Sequence, residues 1–442
     1  MLIVFRAAKG AENHLCRHGA VQARWPRRLN KPRCPRMAGS SKSAAILIIR
    51  RRLCRVECAL VDRDFFSGTG SAGGRVRMCS GLAWAIIADR RREGIWAMSN
   101  ASVKLAIIIV SYCNADDVDR CLKSLARSDY DHFEVLICEN GGEAAYGRLL
   151  AALVGSDRTL QRISDASDTL DQPQKRLTSV AKCRFQNRAN VVRVGLATEN
   201  LGYGGGVNAW LEPLLGAPGW GAVLVLNPDT EVDSRGLAEL IAKSAEGFGM
   251  VGGSLVFDDT PNKVINYGLH WSPTTGRVIA VGRNAPVGSA PSVEDLARID
   301  AVSGACVLAT RAFVEDVGLM AEDYFLYMED LDWGRRRGKH RIGFASKAII
   351  RHIGGTTIGS AVTPEKRSHL SIYLSARNGI LYARRFAGWR WICHFGVGLL
   401  FAARYALKGS LSAGQVAFAG LLDGAKGKTG RPEAGLGPQQ PG

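Results

Sequence analysis

Short apolar runs alternate with amphipathic stretches from residue 105 onward. Leu105–Val110 is a continuous apolar run, typical of a buried parallel strand, and Phe133–Cys138 is a second one. Between them, Asn114 and the acids that follow it mark a helix start, and Val118 to Leu125 places its apolar residues on one helical face. Strand, helix and strand at this spacing predict a right-handed βαβ unit.

The same pattern continues into the middle of the chain. Val191–Val194 predicts a third strand and Ala222–Leu226 a fourth, and the glycine-rich turn Asn200–Asn208 leads into a helix between them. Four successive strand ends carry polar or glycine residues, and sheets of this kind bind ligands at the carboxyl ends of their strands. The sequence therefore predicts an α/β fold with a Rossmann-like, mostly parallel sheet, flanking helices and a nucleotide crevice.

Other segments are less regular. Residues 155–190 are polar and patternless, and we expect an insertion loop or a disordered excursion there. Residues 249–310 predict additional strands and loops, including an apolar strand over Val302–Leu308. Ala312–Val317 predicts a short helix.

The C-terminal part is amphipathic. Residues 366–387 predict a basic helix, and residues 391–407 are apolar but interrupted by His394 and Arg404, which makes them marginal for a membrane span. We expect residues 366–423 to form helices that lie on a membrane surface or pack on the body. The Gly- and Lys-rich tail 424–442 is expected to be disordered.

Charge is unevenly distributed. The net charge is +18, but residues 1–97 hold 20 Lys and Arg against 6 Asp and Glu, so this extension accounts for +14. The body is nearly balanced, which argues against a nucleic-acid partner. The extension has poor periodicity and no apolar core of a signal peptide. We expect translation to begin at Met98, and a basic disordered arm is the alternative.

The eleven cysteines show no paired spacing of a metal site, and most cysteines of the body lie in apolar surroundings. This usage favours a reducing cytoplasm.

The sequence Asn227-Pro228-Asp229 follows a predicted strand. A short carboxylate at a strand end can hold Mg²⁺ or Mn²⁺, with water and phosphate oxygens filling the other positions. Such an ion neutralises charge on a diphosphate leaving group. A plain turn is the alternative, since all three residue types are common in turns.

Two more candidates lie further on. The adjacent carboxylates Glu329 and Asp330 are flanked by aromatic residues, and an apolar setting makes a carboxylate a better proton acceptor. An acidic helix start is the alternative reading. His352, at a predicted strand end beside glycines, could complete a metal shell or contact phosphate, although a lone histidine is more often structural.

Taken together, these segments resemble the family 2 glycosyltransferases, especially bacterial rhamnosyltransferase-like members, from about Leu105 to Gly388. The segments that carry the resemblance are Val110-Ser111-Tyr112, Cys138-Glu139-Asn140-Gly141, Asn200-Leu201-Gly202-Tyr203 with Asn208, Leu226-Asn227-Pro228-Asp229-Thr230-Glu231, Ser303-Gly304-Ala305-Cys306 and Phe325 to Asp332. Their order and spacing are specific, although each alone is weak.

The resemblance implies a GT-A fold over residues 98–365, a nucleotide-diphospho-sugar donor, a divalent metal and inversion at the anomeric carbon. It implies Asp330 as catalytic base, with Glu329 beside it, and Asp229 and His352 at the metal. The residues implied at the nucleotide sugar are Ser111, Tyr112, Glu139, Asn140, Asn200, Gly202, Asn208 and Asn227, and those on the acceptor side are Ser303, Gly304 and Trp333.

Three positions depart from the family pattern. Cys113 stands where asparagine usually follows the tyrosine, and Glu139 stands where aspartate is usual, which lengthens the side chain at the ribose. Asn227 replaces a second aspartate of some relatives, leaving one strong carboxylate ligand.

The sequence thus predicts a cytoplasmic enzyme at the inner face of the membrane that transfers a sugar, with rhamnose as a candidate, to a glycan or lipid-linked acceptor. A nucleotidyltransferase that makes nucleotide sugars is a second class, but Ser111–Asn114 lacks its Gly-rich basic loop. A non-catalytic nucleotide-sugar-binding module is a third class, and the retained carboxylates argue against it.

Overall fold

The computed structural model describes residues 103–164, 168–353, 367–408 and 410–432. Within these ranges the chain forms thirteen strands and ten α-helices. The strands are β1 (Leu105–Ser111), β2 (Phe133–Glu139), β3 (Leu160–Arg162), β4 (Leu177–Phe185), β5 (Val191–Ala197), β6 (Ala222–Leu226), β7 (Thr230–Val232), β8 (Met250–Phe257), β9 (Thr260–Val264), β10 (Gly268–Trp271), β11 (Val278–Val281), β12 (Cys306–Thr310) and β13 (Ile342–His352). The helices are α1 (Ala115–Leu125), α2 (Glu143–Leu153), α3 (Gly202–Gly216), α4 (Gly236–Ala245), α5 (Val293–Arg298), α6 (Arg311–Val317), α7 (Glu329–Arg335), α8 (His369–Ala387), α9 (Trp391–Lys408) and α10 (Leu411–Lys426).

One large sheet organises the described residues. Its order is β3-β4-β5-β2-β1-β6-β12-β8-β13-β7, with β9 on β8. The strands β5, β2, β1 and β6 run parallel to one another, and β8 runs parallel to β13. Because β12 is antiparallel to both β6 and β8, the two parallel groups point the same way. The predicted α/β class with a mostly parallel sheet and flanking helices is confirmed.

The central strands are buried on both faces. Every residue of β1 and β2 is buried. Ile107 and Ile109 face a core cluster that includes Leu122 of α1, whereas Ile108 faces a second cluster that includes Trp210 of α3. Coverage by helices on both sides explains why these strands read as continuous apolar runs rather than as alternating ones.

The carboxyl ends of the parallel strands meet at one edge of the sheet. Ser111 at the end of β1 pairs with Glu139 at the end of β2, and Leu226 at the end of β6 pairs with Cys306 at the start of the antiparallel β12. His352 at the end of β13 pairs with Phe257 at the end of β8. The polar residues picked out at successive strand ends therefore belong to one edge.

The prediction of a loop or disordered excursion over residues 155–190 is wrong, because this segment contains β3 and β4. β4 pairs antiparallel with β5 and extends the main sheet. Its second half alternates buried Ala181, Cys183 and Phe185 with more exposed lysine and arginine. That period of two is a strand signal, but the polar residues on the outward face obscured it.

The segment 249–310 contains additional strands, as predicted. β9 pairs with β8, and β10 and β11 form a separate hairpin. The strand predicted over Val302–Leu308 begins only at Cys306. The residues before it form a turn, in which the amide of Cys306 donates to the main-chain oxygen of Ser303 at 3.1 Å.

The C-terminal part forms three helices, in agreement with the predicted helical region. α8 begins after Ser368, whose side chain accepts from the amide of Ser371. α10 packs closely on α8, and a Cβ at Gly424 would lie 2.6 Å from the main-chain oxygen of Arg377. Among the described helices, none combines the length and apolar content needed to cross a bilayer.

The prediction of a disordered tail from Gly424 onward is wrong for residues 424–430. α10 continues to Lys426, and the amide of Gly430 donates to the main-chain oxygen of Asp323 at 2.7 Å. This docking depends on partners far away in sequence, which composition alone does not reveal. The extension 1–97 and the remaining tail 433–442 lie outside the described residues.

Candidate functional site

Glu139 organises the ends of the first two strands. Its carboxylate accepts from the Ser111 hydroxyl at 2.5 Å, from the amide of Gly141 at 2.7 Å and from the amide of Cys113 at 3.2 Å. Glu139 is 1% exposed, and Cys113 has a φ of 57°. These contacts shape the loop that carries the half-buried Tyr112. The glutamate predicted at the ribose therefore also holds the loop beside it.

The start of α3 is tied to the same edge. The side chain of the buried Asn140 donates to the main-chain oxygen of Gly202 at 2.9 Å, and the side-chain oxygen of Asn200 accepts from the amide of Gly202 at 3.1 Å. Gly202 has a φ of +73°, and a Cβ there would lie 2.2 Å from the main-chain oxygen of Phe325. Only glycine fits this crossing of two chain segments.

Tyr203 lies at the centre of the site. Its hydroxyl is within hydrogen-bond distance of the Asn227 side-chain oxygen (2.8 Å) and the Gly304 main-chain oxygen (2.7 Å). Burial, followed by the charges of Glu329, Asp330 and Asp229, raises the pKa of Tyr203 well above its ordinary value. The phenol therefore stays protonated. Its hydroxyl contacts Asn227, two residues before Asp229, and Gly304, whose amide bonds to Asp330.

Asp229 and His352 are adjacent. The Nε2 atom of His352 lies 3.3 Å from Oδ1 of Asp229, and both side chains are partly exposed. Strand pairing creates this contact, since His352 of β13 pairs with Thr230 of β7, and the amide of Ile353 donates to the main-chain oxygen of Asp229 at 3.0 Å. The two residues predicted at a metal are thus brought together.

One carboxylate and one imidazole fit a divalent ion that takes its remaining ligands from water and phosphate. Within residues 103–164, 168–353, 367–408 and 410–432 there is no group of three or more His, Cys, Asp or Glu side chains arranged to hold a metal.

Glu329 and Asp330 open helix α7. Oδ2 of Asp330 accepts from the amide of Gly304 at 2.9 Å, and its Oδ1 accepts from the amide of Leu331 at 2.8 Å. Glu329 is 5% exposed, and its Oε2 is buried with no hydrogen-bond partner among the described residues. Burial raises the pKa of both carboxyl groups, and repulsion from Asp330 raises that of Glu329 further.

Residues 324–328, here called the left-handed loop, lead into this pair of carboxylates. Phe325, Tyr327 and Met328 have φ values of 63°, 70° and 79°. For residues with a Cβ, this conformation costs about 1–2 kcal/mol each. The amide of Tyr203 donates to the main-chain oxygen of Phe325 at 2.7 Å. The carboxylates therefore follow a strained segment that only its surroundings can hold.

Two predicted site residues are fully buried and bonded to protein groups. Asn208 is fully buried and exchanges hydrogen bonds with the main chain of Met320, at 2.9 and 3.0 Å, so it braces α3 against the following loop. Trp333 is also fully buried, donates to the Gly318 main-chain oxygen at 2.9 Å and stacks edge-on against Phe313. The prediction that Asn208 contacts the nucleotide sugar is therefore wrong, and so is the prediction that Trp333 contacts the acceptor, because neither side chain is exposed.

The remaining acceptor-side prediction concerns Ser303 and Gly304, which form the turn before β12. Ser303 is half-buried. Gly304 connects the site internally, since its amide bonds to Asp330 and its oxygen bonds to Tyr203. No role was assigned to Tyr203 from the sequence, although this residue belongs to the motif Asn200-Leu201-Gly202-Tyr203. Its place in the glycine-rich turn, directly after Gly202, was the available signal.

Comparison with known proteins places this geometry in context. The chain is 23% identical over 189 residues to a low-salt glycan biosynthesis hexosyltransferase of Haloferax volcanii, a match that covers 41% of this chain and 57% of the relative. It is 32% identical over 114 residues to an N-acetylglucosaminyl-diphospho-decaprenol L-rhamnosyltransferase of Mycobacterium tuberculosis, covering 25% of this chain and 32% of the relative. The resemblance to glycosyltransferases, with a rhamnosyltransferase among them, is confirmed.

The chain spans 57% and 32% of the lengths of these two relatives. No family model matches it. Among solved structures, a mannosyltransferase from Pyrobaculum calidifontis in complex with GDP-Man and Mn²⁺ matches with a TM-score of 0.40 and 12% identity, over 78% of this chain and 98% of that one. Similarity this low supports no argument about the site.

Proposed function

We propose that this protein is an inverting, metal-dependent glycosyltransferase that moves a sugar, with rhamnose as the first candidate, from a nucleotide diphosphate to a glycan or lipid-linked acceptor. The observation that carries the proposal is that Tyr203 joins the two groups of candidate residues: its hydroxyl contacts Asn227, two residues before Asp229, and Gly304, whose amide bonds to Asp330. One group can face a diphosphate, and the other can face an acceptor hydroxyl. The names of the curated relatives support the same reaction class.

On the donor side, Asp229 and His352 would hold Mg²⁺ or Mn²⁺. When bound, the ion would neutralise the charge that develops on the departing diphosphate. Tyr112, on the loop shaped by Glu139, would lie against the base and ribose. Asn227, which contacts Tyr203, would lie between the nucleotide and the sugar.

On the acceptor side, Asp330 would take the proton from the attacking hydroxyl. The acceptor oxygen would bond to the anomeric carbon as the bond from that carbon to the diphosphate oxygen breaks, so the configuration inverts. The amides of Gly304 and Leu331 keep the Asp330 carboxylate in place. Burial raises its pKa, which makes it a stronger base than an exposed aspartate.

The protein would work at the inner face of the cell membrane. α9 contains no acidic residue and carries Arg404 and Lys408. Leu400 and Leu407 on this helix are 72% and 86% exposed. Exposed apolar side chains beside cations fit the headgroup region of an anionic bilayer, where lipid-linked acceptors lie.

The test is a transfer assay with UDP-, GDP- and dTDP-linked sugars, with Mn²⁺ or Mg²⁺, and with polyprenyl-diphosphate-linked sugar acceptors. We expect metal-stimulated release of nucleoside diphosphate, loss of activity with EDTA, and a product of inverted anomeric configuration by NMR. Asp330→Asn should lower kcat by about 10²- to 10⁴-fold because it removes the general base, while nucleotide binding is retained.

The matched control is Asp323→Asn, which removes an exposed carboxylate from the same region of the chain. It should leave kcat within about twofold of the wild type, as is usual for a surface substitution. Wild-type turnover by Asp330→Asn would exclude Asp330 as the base. Pyrophosphate release from a nucleoside triphosphate and a sugar phosphate would instead identify a nucleotidyltransferase, and nucleotide-sugar binding without turnover would identify a binding module.

A further inference from the structure

The left-handed loop is held from outside by Asn378 of α8. The Asn378 amide nitrogen lies 2.9 Å from the main-chain oxygen of Tyr324, 2.7 Å from that of Leu326 and 3.1 Å from that of Tyr327. Asn378 is fully buried. A single side chain therefore gathers the carbonyl groups of the loop that precedes the proposed catalytic carboxylates.

Arg377 sets the orientation of that amide. Its Nε donates to Oδ1 of Asn378 at 3.0 Å, and its Nη2 donates to the main-chain oxygen of Tyr324 at 3.0 Å. Because a guanidinium group only donates, the oxygen of the Asn378 amide must face Arg377, and its NH₂ group must face the loop. The third nitrogen, Nη1, donates to the Gly430 main-chain oxygen at 2.8 Å.

Both polar side chains lie on the buried face of α8. Arg377 is 1% exposed, and a buried guanidinium is costly unless its hydrogens are bonded. Here its hydrogen bonds go to the loop, to Asn378 and to the segment after α10, and its guanidinium group also lies over the Tyr373 ring. On the other side of the loop, the main-chain amide of Tyr203 donates to the main-chain oxygen of Phe325. The loop is thus held between the start of α3 and the buried face of α8.

We propose that Arg377 and Asn378 are positioning residues that hold the left-handed loop and, through it, the carboxylates of Glu329 and Asp330 in the site. The catalytic part of this inference rests on the proposed glycosyltransferase function. Without the two side chains, Phe325, Tyr327 and Met328 would relax toward the ordinary backbone regions, and the start of α7 would move with them.

Hydrogen–deuterium exchange of the full chain tests directly whether Asn378 holds the left-handed loop. Asn378→Ala should raise the exchange rate of peptides covering residues 322–333 by about tenfold or more, because the loop opens more often, while β1 and β6 keep wild-type protection. The matched control is Arg384→Ala, which removes an arginine of the same helix that donates to the main-chain oxygen of Ala425 and not to the loop. It should leave peptides 322–333 unchanged.

Steady-state kinetics test whether the loop positions the carboxylates of Glu329 and Asp330. The substrate is whichever of the UDP-, GDP- or dTDP-sugars the wild type turns over. Asn378→Ala should lower kcat by about tenfold or more and leave the donor KM within about twofold, because the base is displaced while the nucleotide end is intact. Arg384→Ala should change neither value.

If Asn378→Ala fails to fold, Asn378→Ser, which keeps one hydroxyl donor, should give the same changes at smaller size. Unchanged exchange of residues 322–333, or faster exchange with unchanged kcat, would overturn the inference. A wild-type protein that turns over no donor would end the proposed function, and the exchange rates of the Asn378 variants would still decide whether Asn378, oriented by Arg377, holds the loop.

Discussion

At the scale of single residues, the buried carboxyl group of Glu329 makes the site sensitive to pH. Its burial and its proximity to Asp330 raise its pKa, and one of its oxygens has no partner among the described residues. A group of this kind binds its proton more tightly in the folded than in the unfolded state. It therefore links the stability of the protein to pH.

Glu329→Gln is expected to stabilise the protein more at mildly alkaline than at mildly acidic pH. The stabilising contribution of protonated Glu329 is fully present below the ordinary pKa of 4.5, and it is lost as the pH rises through the raised value. Glutamine removes this ionisation and so removes the loss. Urea unfolding at two pH values measures the effect.

Glu315→Gln on α6 is the control, since this side chain is 49% exposed. It should change stability by about 0.5 kcal/mol or less, as expected for a surface site. An equal effect of Glu329→Gln at both pH values would show that the carboxyl group titrates normally.

At the scale of elements, the site depends on the crossing of the α3 start and the left-handed loop. Because Gly202 has no side chain, the left-handed loop can approach the start of α3 closely. The main-chain amide of Tyr203 then donates to the main-chain oxygen of Phe325. Three loop residues keep positive φ values, which isolated helices or strands would not impose. The position of α7 is therefore decided by the contact between these elements.

Gly202→Ala should lower the free energy of unfolding by about 2–4 kcal/mol, because it adds a clash and a strained φ. It should also reduce transfer, since the loop must shift to accept the methyl group. Chemical denaturation and the transfer assay measure the two effects. Gly147→Ala in α2 is the matched control, with nothing within 4 Å of its added Cβ.

The control should be neutral or stabilise the protein by about 0.5–1 kcal/mol, as alanine does inside a helix. If Gly202→Ala behaves like Gly147→Ala, the close approach of the loop is unimportant.

At the scale of the whole molecule, the three C-terminal helices connect the proposed membrane face to the site. The buried face of α8 bonds to the left-handed loop, and α9 exposes large apolar side chains. A lipid-linked acceptor bound at a membrane would reach the site beside these helices. The proposed membrane contact thus has a specific surface that can be altered without touching the carboxylates.

The double variant Leu400→Glu, Leu407→Glu should abolish sedimentation with vesicles containing phosphatidylglycerol, because it removes apolar area and adds negative charge at the surface. Wild-type binding should weaken with salt and with purely zwitterionic lipid. Val293→Glu on α5, at a side chain that is 79% exposed, is the matched control and should bind as the wild type does. Unchanged sedimentation of the double variant would rule out α9 as the membrane surface.

Local pattern was enough for some of these features. The apolar runs of β1, β2 and β6 and the polar residues at their ends led to the α/β sheet and its ligand-binding edge, because burial on both faces leaves a direct signature in sequence. Asp229 and His352 were assigned to one site by resemblance, and strand pairing brings them to 3.3 Å. β4 was missed because its outward face is polar and charged.

What the sequence determined by itself is the order of the elements and the residue types at the strand ends, since both follow from periodicity along the chain. Only the tertiary structure decided that Asn208 and Trp333 are buried, that Tyr203 contacts both Asn227 and Gly304, and that Arg377 and Asn378 bond to the left-handed loop. The physical reason is that burial and hydrogen bonding depend on partners distant in sequence. No local pattern specifies which partners will meet.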